Sequence, residues 1–401
     1  MKKCSLVGVW LFIFWLAGQG ETSIFLQITQ NLTRKAPVSI LLGQPRNEFW
    51  EKFARVFTQD TEYSDCFSVQ ECSFILPERL AAEKNTRVNS LVFTSSQVRD
   101  KTTFAIEDPG EHQTLWSKDY QTPEEARSFA HQVADDLVLA LTGRPGIAST
   151  KIAYVSDRTA SYQIYSIDAD GENERQLTSA AFMVHYPRWL PGKRNLLLVS
   201  YEYGWPKLAK FDLVSRNLTT LLAEPGLNAC ASFCRATDEI ALVLSRSGNP
   251  EIYLFSEKNK SLKQLTYDRG VDSSPSMAPD GQTLAFVSDR QGKPQIFLMN
   301  REGFQVRRIS YISSYCTSPA WSPDGSLIAY VFSRGGSFGV AVYEVNTRRT
   351  IIVDENAGAE DVSWAPDSRH LVYTRSRTKP AVLEILDVIT RNKRQLTSSR
   401  F

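Results

Sequence analysis

From residue 150 onward, apolar and polar positions alternate in short runs that recur at a nearly constant interval. Each run is similar to "IAYVSDR", and its period of two residues is typical of a β-strand. A second alternating run such as "QIYSID" follows each first one, and then a short third run such as "RQLT". The first runs start 44 residues apart, with a last step of 43, at Ile152, Leu196, Ile240, Leu284, Ile328 and Leu371.

This period predicts the blades of a β-propeller. Short strands repeated about every 40–45 residues form blades that bury their faces only against neighbouring blades. The Pro-Asp-Gly sequences at Pro279–Gly281 and Pro323–Gly325 favour tight turns, so we assign their Asp residues to turn formation and not to catalysis. The residues Trp189, Trp321 and Trp364 recur at equivalent positions, and we expect them to pack between blades.

One part of the repeat occurs less often than the rest. The first run occurs six times, whereas the segment with Pro and Trp or Phe that comes before it occurs five times. These five segments, which we expect to form the inner strands, lie near Tyr186, Ala231, Pro275, Pro319 and Ser363. We therefore expect the first blade to lack its own inner strand, or to take one from Gly146–Thr150 or from the tail.

Residues 21–145 do not show the repeat. Strands are predicted at "SIFLQIT", "SLVFTSS" and "TTFAIED", and one helix is predicted from Pro45. A second helix is predicted with Thr122 as its N-cap, Pro123 in its first turn and Gly143 at its end. The predicted fold is mainly β: a six-bladed β-propeller over 146–401, preceded by a small two-layer α/β domain over 21–145.

The first twenty residues have the layout of a secretory signal peptide. Lys2 and Lys3 precede the apolar run "LVGVWLFIFWLA", and small residues follow it up to Gly20. The apolar run is shorter than the roughly 20 residues that a membrane span needs, so cleavage is favoured over an uncleaved anchor. No transmembrane segment is expected after cleavage.

The charge balance bears on the class of partner, and the cysteine content bears on whether disulfides form. The chain has 46 Lys and Arg against 44 Asp and Glu, and two of the basic residues lie in the leader. Without a basic excess, nucleic acid is not an expected partner. Five cysteines follow the leader: Cys66, Cys72, Cys230, Cys234 and Cys316. A bridge between Cys66 and Cys72 is geometrically feasible, but buried free thiols are favoured.

Two patterns raise the question of catalysis. Residues Gly335–Gly339 fit G-x-S-x-G, but a nucleophile elbow needs a strand–turn–helix, and these glycines are placed for a hairpin. The spacing of the four histidines contains no local metal motif, and His131 and His370 are expected to be structural or solvated. A lyase-like or cation-binding channel would use His185, Asp272, Glu360 and Asp361. We predict no catalytic residues, no metal and no cofactor.

The segment "AHQVADDLVLALTGRPGIASTKIAYVSDR", Ala130 to Arg158, resembles the junction between the two domains of the TolB family, the periplasmic component of the Tol–Pal system. The order of leader, α/β domain and "SPAWSPDG" repeats resembles that family too. The resemblance implies a non-enzymatic, monomeric periplasmic protein that binds the peptidoglycan-associated lipoprotein, contacts TolA, and supports outer-membrane integrity and constriction at division. The alternative is the propeller domain of a hydrolase or lyase acting on periplasmic peptide or carbohydrate.

The resemblance also implies which residues bind the partners. The lipoprotein contact maps to loops just before the inner strands, with a different set of contacts expected at "NACASFCRATDE", which lacks Pro, Trp and Pro-Asp-Gly. The implied residues are His185, Tyr186, Asn228, Asp272, Ser273, Tyr315, Thr317, Glu360 and Asp361. The TolA contact maps to the mature N-terminus: Glu21, Thr22, Ser23, Ile24 and Phe25. The Ser247–Asn249 turn is expected at the opposite mouth of the propeller.

The leader generates the first testable prediction. We expect export with cleavage near Gly20, because a basic start, a short apolar core and small residues are what signal peptidase requires. Mass spectrometry of the protein isolated from cells gives the mass of the mature chain. An intact Met1 on envelope-bound protein would show instead that the leader remains as an anchor.

Overall fold

The helices and strands divide into an α/β unit and a ring of sheets. The computed structural model describes residues 34–84, 86–87, 89–159, 161–376 and 380–397. The α/β unit contains β1 (Ala36–Leu42), α1 (Glu48–Tyr63), β2 (Phe67–Phe74), α2 (Pro77–Lys84), β3 (Leu91–Val98), β4 (Lys101–Asp108), β5 (Gln113–Gln121) and α3 (Ala126–Thr142). Its sheet has the order β2-β1-β3-β4-β5, with β1 parallel to β2 and β3.

One hydrophobic core joins α1 and α3 to this sheet. Phe53 on α1 stacks on Phe104 of β4 with ring centroids 5.2 Å apart, and Phe129 on α3 lies 5.7 Å from Phe104. The apolar stripe of α3 is buried along its whole length, as helical spacing requires. Its members are Ala126, Phe129, Ala130, Val133, Ala134, Leu137, Val138 and Leu141.

The N-cap of α3 was predicted wrongly. The cap is Glu125, whose carboxylate accepts from Arg127 N at 3.0 Å, and not Thr122. Thr122 instead holds the end of β5 in place, because its N–H donates to Asp100 O at 3.2 Å and its hydroxyl lies 2.8 Å from that of Thr102. The other end is as predicted, since Gly143 ends the helix with φ of 69°.

The remaining strands form six sheets, which confirms the predicted six-bladed propeller. Consecutive strands of a blade are antiparallel neighbours, so each blade is a meander. Blade 1 is β6 (Lys151–Ser156), β7 (Gln163–Asp168) and β8 (Arg175–Gln176); blade 2 is β9 (Val184–Trp189), β10 (Asn195–Ser200), β11 (Lys207–Asp212) and β12 (Leu218–Leu222); blade 3 is β13 (Asn228–Cys234), β14 (Glu239–Leu244), β15 (Glu251–Ser256) and β16 (Ser261–Gln264). Blade 4 is β17 (Asp272–Met277), β18 (Thr283–Ser288), β19 (Gln295–Asn300) and β20 (Arg307–Arg308); blade 5 is β21 (Cys316–Trp321), β22 (Leu327–Arg334), β23 (Ser337–Glu344) and β24 (Thr350–Asp354); blade 6 is β25 (Ala359–Trp364), β26 (His370–Arg375), β27 (Val382–Asp387) and β28 (Lys393–Gln395).

The recurring "QLT" sequence, and "RIS" at its position in blade 4, have a structural cause. In blade 1 the Thr178 hydroxyl accepts from Ile164 N and donates to Gln163 Oε1, both at 2.9 Å. In blade 4 the Ser310 hydroxyl makes the same two contacts to Ile296 N and Gln295, at 2.9 and 2.6 Å. The hydroxyl therefore ties the outer strand of a blade to the start of the strand before it.

Blade 1 has three strands within the described residues. The suggestion that Gly146–Thr150 supplies its inner strand is wrong, because this segment forms a turn held by α3. The Asp135 carboxylate accepts from Ala148 N at 2.7 Å and from Ser149 N at 3.0 Å. Only glycine fits at 146, since an added Cβ would lie 2.3 Å from Asp135 Oδ1. The tail, 398–401, lies outside the described residues.

The ring closes between blades 6 and 1 by the same contact that joins other blades. Gly171, with φ of 91°, lies so close to Leu396 that an added Cβ would be 2.9 Å from its carbonyl oxygen. Gly303 of blade 4 approaches Leu265 of blade 3 in the same way. Apolar packing completes the closure through Ile147, Ile167, Leu383, Ile385 and Leu396.

The repeated tryptophans lie between blades, and the cysteines form no disulfide among the described residues. Trp189, Trp321 and Trp364 each pack against a cluster shared by adjacent blades, as expected. Trp364 also donates from its indole N–H to Ala320 O of blade 5 at 2.9 Å. The feasible bridge between Cys66 and Cys72 is not formed, and all five cysteines after the leader are free thiols.

A buried cluster of charges joins blade 6 to the α/β unit. His370 Nδ1 lies 2.5 Å from Asp367 Oδ2, and its Nε2 lies 3.3 Å from Asp65 Oδ2. Arg369 donates to Asp387 at 2.6 Å and to the Asp65 carbonyl at 3.1 Å. Burial opposes the charged form of His370, but hydrogen bonds to Asp367 and Asp65 outweigh it and raise the pKa to about 9. His370 is therefore a buried cation at neutral pH.

This cluster predicts a loss of stability as the pH rises from 6.5 towards 9. The folded-state pKa of His370 is raised above its ordinary value of 6.5, so its contribution is complete below pH 6.5 and is lost through pH 9. We expect the free energy of unfolding to fall by roughly 3 kcal/mol. Urea unfolding at several pH values across this range measures the loss.

Two variants isolate the contribution of His370. His370→Gln should remove this part of the pH dependence, whereas His112→Gln, at an exposed position of the α/β unit, should retain it. A wild-type and a His370→Gln protein with the same pH dependence would contradict the role of His370.

Candidate protein-binding end of the propeller

The propeller has two different ends. The α/β unit contacts the end that carries the turn between β25 and β26, where Arg369 reaches Asp65. We call this the proximal end. The opposite, distal end carries the first residues of the inner strands β9, β13, β17, β21 and β25, together with the turns between the second and third strands of each blade.

The Ser247–Asn249 turn was predicted at the wrong end. Leu244, the last residue of β14, pairs with Asn228 on one side and Glu251 on the other. In an antiparallel meander the second strand ends where the first begins, so the turn after β14 lies beside the start of β13. Leu227 N donates to Ser245 Oγ at 2.8 Å, which fixes this turn at the distal end.

Each complete blade has a bulge in its inner strand. The strand register shifts once in every inner pair, and one residue there takes a positive φ. None of these five residues is glycine, so their left-handed backbone is unusual, and strained positions of this kind concentrate at functional sites. The five, which we call the bulge ring, are Tyr186 (φ 54°), Cys230 (51°), Ser274 (48°), Ser318 (51°) and Asp361 (52°).

Members of the bulge ring lie within electrostatic reach of one another. Ser318 Oγ donates to Asp361 Oδ1 at 3.4 Å. The pKa of Tyr186 is raised, most strongly by the neighbouring Cys230 and then by burial and by Asp361. Burial raises the pKa of Cys230, so this thiol is neutral at neutral pH. The ring therefore brings inner-strand side chains from all five complete blades to one mouth of the channel.

Most of the predicted lipoprotein-contact residues are available at the distal end. Tyr186 is 40% exposed, Tyr315 is 37% exposed, and Glu360 and Asp361 are exposed as well. His185, Ser273 and Thr317 are partly buried. Burial lowers the pKa of His185, which favours its neutral form.

Two predicted contact residues, Asn228 and Asp272, are fully buried. Asn228 accepts from Glu224 N at 3.0 Å and donates to Glu224 O at 2.7 Å, so it holds the loop before β13. Asp272 is paired with Arg290 at 2.7 Å. These side chains shape the distal loops and offer no surface to a partner, which corrects the assignment made from the sequence.

An exposed aromatic patch on blades 1 and 2 was not predicted. Tyr162 lies 4.7 Å from His185 by ring centroids, and Tyr203 lies 6.3 Å from Trp205. Tyr203 and Trp205 are 58% and 54% exposed, and Lys207 Nζ lies 3.8 Å from the Tyr203 ring centre. The signal in the sequence is "YEYGWPK", which is far richer in aromatics than the equivalent turns.

The residues implied for TolA contact lie outside the described part of the chain. These are Glu21, Thr22, Ser23, Ile24 and Phe25. The leader, 1–20, lies outside it too. Within the described residues, no helix is both long and apolar enough to span a membrane.

Two groups of potential metal ligands occur among the described residues, both away from the distal end. They are Asp60 with His131 and Asp170, and Asp65 with His370 and Asp387. Cationic side chains already neutralise these acids: Arg127 pairs with Asp170, Arg369 with Asp387 and Lys35 with Asp65. The clusters thus fit ion-pair networks between the two units better than metal sites. Neither includes His185, Asp272, Glu360 or Asp361.

The G-x-S-x-G sequence forms a hairpin. Gly335 and Gly336 take φ values of 59° and 76° in the turn between β22 and β23, and Ser337 begins β23. Its hydroxyl lies 3.0 Å from Asn356 Oδ1, which is not a general base. This strand–turn–strand geometry differs from the strand–turn–helix of a nucleophile elbow.

Comparison with known proteins places this fold in a family. Residues 138–401 match the family described as the TolB beta propeller domain. The chain belongs to this TolB family. It is 34% identical over 132 residues to the Tol-Pal system protein TolB of Methylobacillus flagellatus, covering 33% of this chain and 30% of that one. It is 32% identical over 167 residues to the Tol-Pal system protein TolB of Alcanivorax borkumensis, covering 39% and 38%.

These TolB alignments span about a third of the length of the curated relatives. A solved structure extends the similarity to both units. The crystal structure of TolB from Acinetobacter baumannii matches 91% of this chain and 94% of its own, with a TM-score of 0.78 and 26% identity. The α/β unit and the propeller thus share the arrangement of that TolB structure.

The hairpin geometry predicts that Ser337 is not a reactive nucleophile. A fluorophosphonate probe should leave Ser337 unlabelled, because its hydroxyl donates to Asn356 Oδ1 and no base among the described residues contacts it. Mass spectrometry of probe-treated protein, with Ser337→Ala as the control, measures this. Labelling that disappears in Ser337→Ala would contradict the prediction and favour a hydrolase.

Proposed function

We propose that this chain is the TolB component of a Tol–Pal system and acts as a non-enzymatic binding protein of the periplasm. Its main partner is the peptidoglycan-associated lipoprotein, bound at the distal end of the propeller. Binding supports outer-membrane integrity and constriction at division. Family membership over residues 138–401 and the names of the relatives support this role.

The bulge ring is the observation that carries the proposal. Five blades each place one non-glycine residue in a left-handed conformation at the same mouth of the channel. A bulge re-aims a side chain and is retained for that purpose, so five equivalent bulges indicate one shared surface. This surface lies on the end that the α/β unit leaves uncovered.

The composition of the distal end suits a protein partner. It combines exposed tyrosines with exposed carboxylates, and interfaces are enriched in aromatic residues surrounded by a polar rim. The aromatic patch with Tyr203 and Trp205 extends this surface outward from the channel over blade 2. Aromatic side chains of this kind carry much of the binding energy at many interfaces.

The proposal includes a second partner at a different place. The start of the mature chain, Glu21 to Phe25, contacts TolA, and the chain acts as a monomer. Cleavage of the leader releases the chain into the periplasm and frees this N-terminus. These parts rest on the resemblance to the family and on the layout of the leader.

The distal surface predicts which variants lose lipoprotein binding. Tyr315→Ala removes an exposed ring packed edge-on to Phe338 at 6.2 Å, and Glu360→Lys reverses an exposed charge beside the bulge ring. Each should weaken binding by roughly 1–4 kcal/mol. Calorimetry with the purified mature chain and the soluble domain of the lipoprotein gives the dissociation constants.

Matched controls lie at the proximal end. Phe304→Ala removes an exposed ring in the turn between β19 and β20, and Arg235→Glu reverses an exposed charge in the turn between β13 and β14. Both should bind as the wild type does, and circular dichroism should show all four variants folded. Loss of binding in the two controls alone would place the partner at the proximal end.

A further inference from the structure

The turn between β10 and β11 keeps the backbone of the repeat but changes its side chains. Blade 2 has the sequence "YEYGWPK" here, where blade 3 has "SRSGNPE" and blade 4 has "DRQGKPQ". Gly204, Gly248 and Gly292 each take a positive φ and donate to the carbonyl three residues earlier, so the three turns have the same shape. The side chains that differ in blade 2 include Tyr203 and Trp205, which are both exposed.

The residue that begins the third strand differs as well. In blades 1, 3 and 4 this residue is buried and accepts from the Thr or Ser hydroxyl just after the outer strand, as Gln163, Glu251 and Gln295 show. In blade 2 the residue is Lys207, and Leu222 takes the repeat position of the hydroxyl. The structural role of this position is therefore absent from blade 2 and does not explain the lysine.

The ammonium group of Lys207 lies against the two exposed rings. Its Nζ is 3.8 Å from the ring centre of Tyr203 and 5.2 Å from that of Trp205. No carboxylate among the described residues forms an ion pair with it, whereas Lys210 of the same strand pairs with Glu257. The rings thus hold the cation in place without neutralising its charge.

This turn is continuous with the distal surface around the channel. Tyr201 N donates to Met183 O at 3.0 Å, and the Tyr201 ring lies 6.0 Å from His185 by centroids. His185 in turn lies 5.9 Å from Tyr186 of the bulge ring. A partner bound over the bulge ring therefore has the Tyr203–Lys207 turn beside it on blade 2.

We propose that Lys207 binds a carboxylate of the partner at the distal end, with Tyr203 and Trp205 in contact with apolar parts of the same acidic segment. This inference rests on the proposed function, and it names the chemistry of one part of the lipoprotein's contact surface. A cation without an ion pair is complementary to an acidic group, and aromatic rings add apolar contact area beside it. A sugar ring is disfavoured, because the Lys207 ammonium already covers one face of Tyr203.

Calorimetry with the mature chain and the soluble domain of the lipoprotein tests the assignment. Lys207→Gln removes the charge and introduces the residue that blades 1 and 4 have at this position, so the fold should be retained. We expect its dissociation constant to rise at least about fivefold. Lys293→Gln removes an exposed lysine from the equivalent turn of blade 4 and should change the dissociation constant by less than about twofold.

Two further measurements separate the charge from the rings. Raising the salt concentration from about 50 to about 300 mM should weaken binding by the wild type more than binding by Lys207→Gln, because salt screens the ion pair. Tyr203→Ser and Trp205→Asn introduce the residues of blade 3, and each should raise the dissociation constant roughly tenfold.

The outcomes distinguish failure of this inference from failure of the proposed function. A wild-type chain that does not bind the soluble domain contradicts both. Wild-type binding with an unchanged dissociation constant in Lys207→Gln overturns this inference alone, and so does an equal loss in Lys207→Gln and Lys293→Gln, which would show a general effect of charge. Loss of affinity for soluble peptidoglycan fragments in Tyr203→Ser and Trp205→Asn, with lipoprotein binding retained, would overturn it by assigning the turn to a glycan.

Discussion

Burial of each blade against its two neighbours is the constraint on which the rest of the structure depends. No blade covers its own faces, so every apolar strand needs a partner on each side, and the ring must close between blades 6 and 1. The closure uses Gly171 against Leu396 and the packing of Ile147 with Leu383 and Ile385. Because Ile147 belongs to the segment that follows α3, the link between the two units is itself part of the closing joint. Ring closure and the position of the α/β unit are therefore set by the same contacts.

The period of the sequence was sufficient to predict the six blades, because identical spacing repeats the same strands and turns. Contacts between distant residues were not predictable in this way. Asn228 and Asp272 look like polar loop residues in the sequence, and their burial follows from partners, Glu224 and Arg290, that only the folded loops bring near. Thr122 has the residue type of an N-cap but is bound by the neighbouring strand instead. The position of Ser247–Asn249 was in principle derivable, since the meander alternates the end at which successive turns lie.

The bulge ring is an irregularity that strand pairing alone does not require. Five inner strands could have paired regularly with their second strands, yet each includes one residue in a conformation that L-amino acids disfavour. The cost is repeated five times within paired strands. At the proximal end, non-glycine residues such as Lys193, Asp238 and Ser368 also take a positive φ, but they lie in turns, where the chain must reverse. Chain reversal accounts for the positive φ of the turn residues but not for that of the bulge ring, which is the feature that the proposed partner surface would explain.

At the proximal end, the charged cluster around His370 has a structural role: it joins the α/β unit to blade 6. His370, Arg369 and Asp387 are buried, and Asp65 of the α/β unit lies partly buried beside them, so removing any one of the four would leave a buried charge without a partner. The α/β unit is thus fixed at one end by ion pairs and at the linker by Asp135, which holds Ala148 and Ser149. These contacts hold the α/β unit at the proximal end and leave the distal end uncovered. The distal surface is therefore formed by the inner strands and turns of the blades alone.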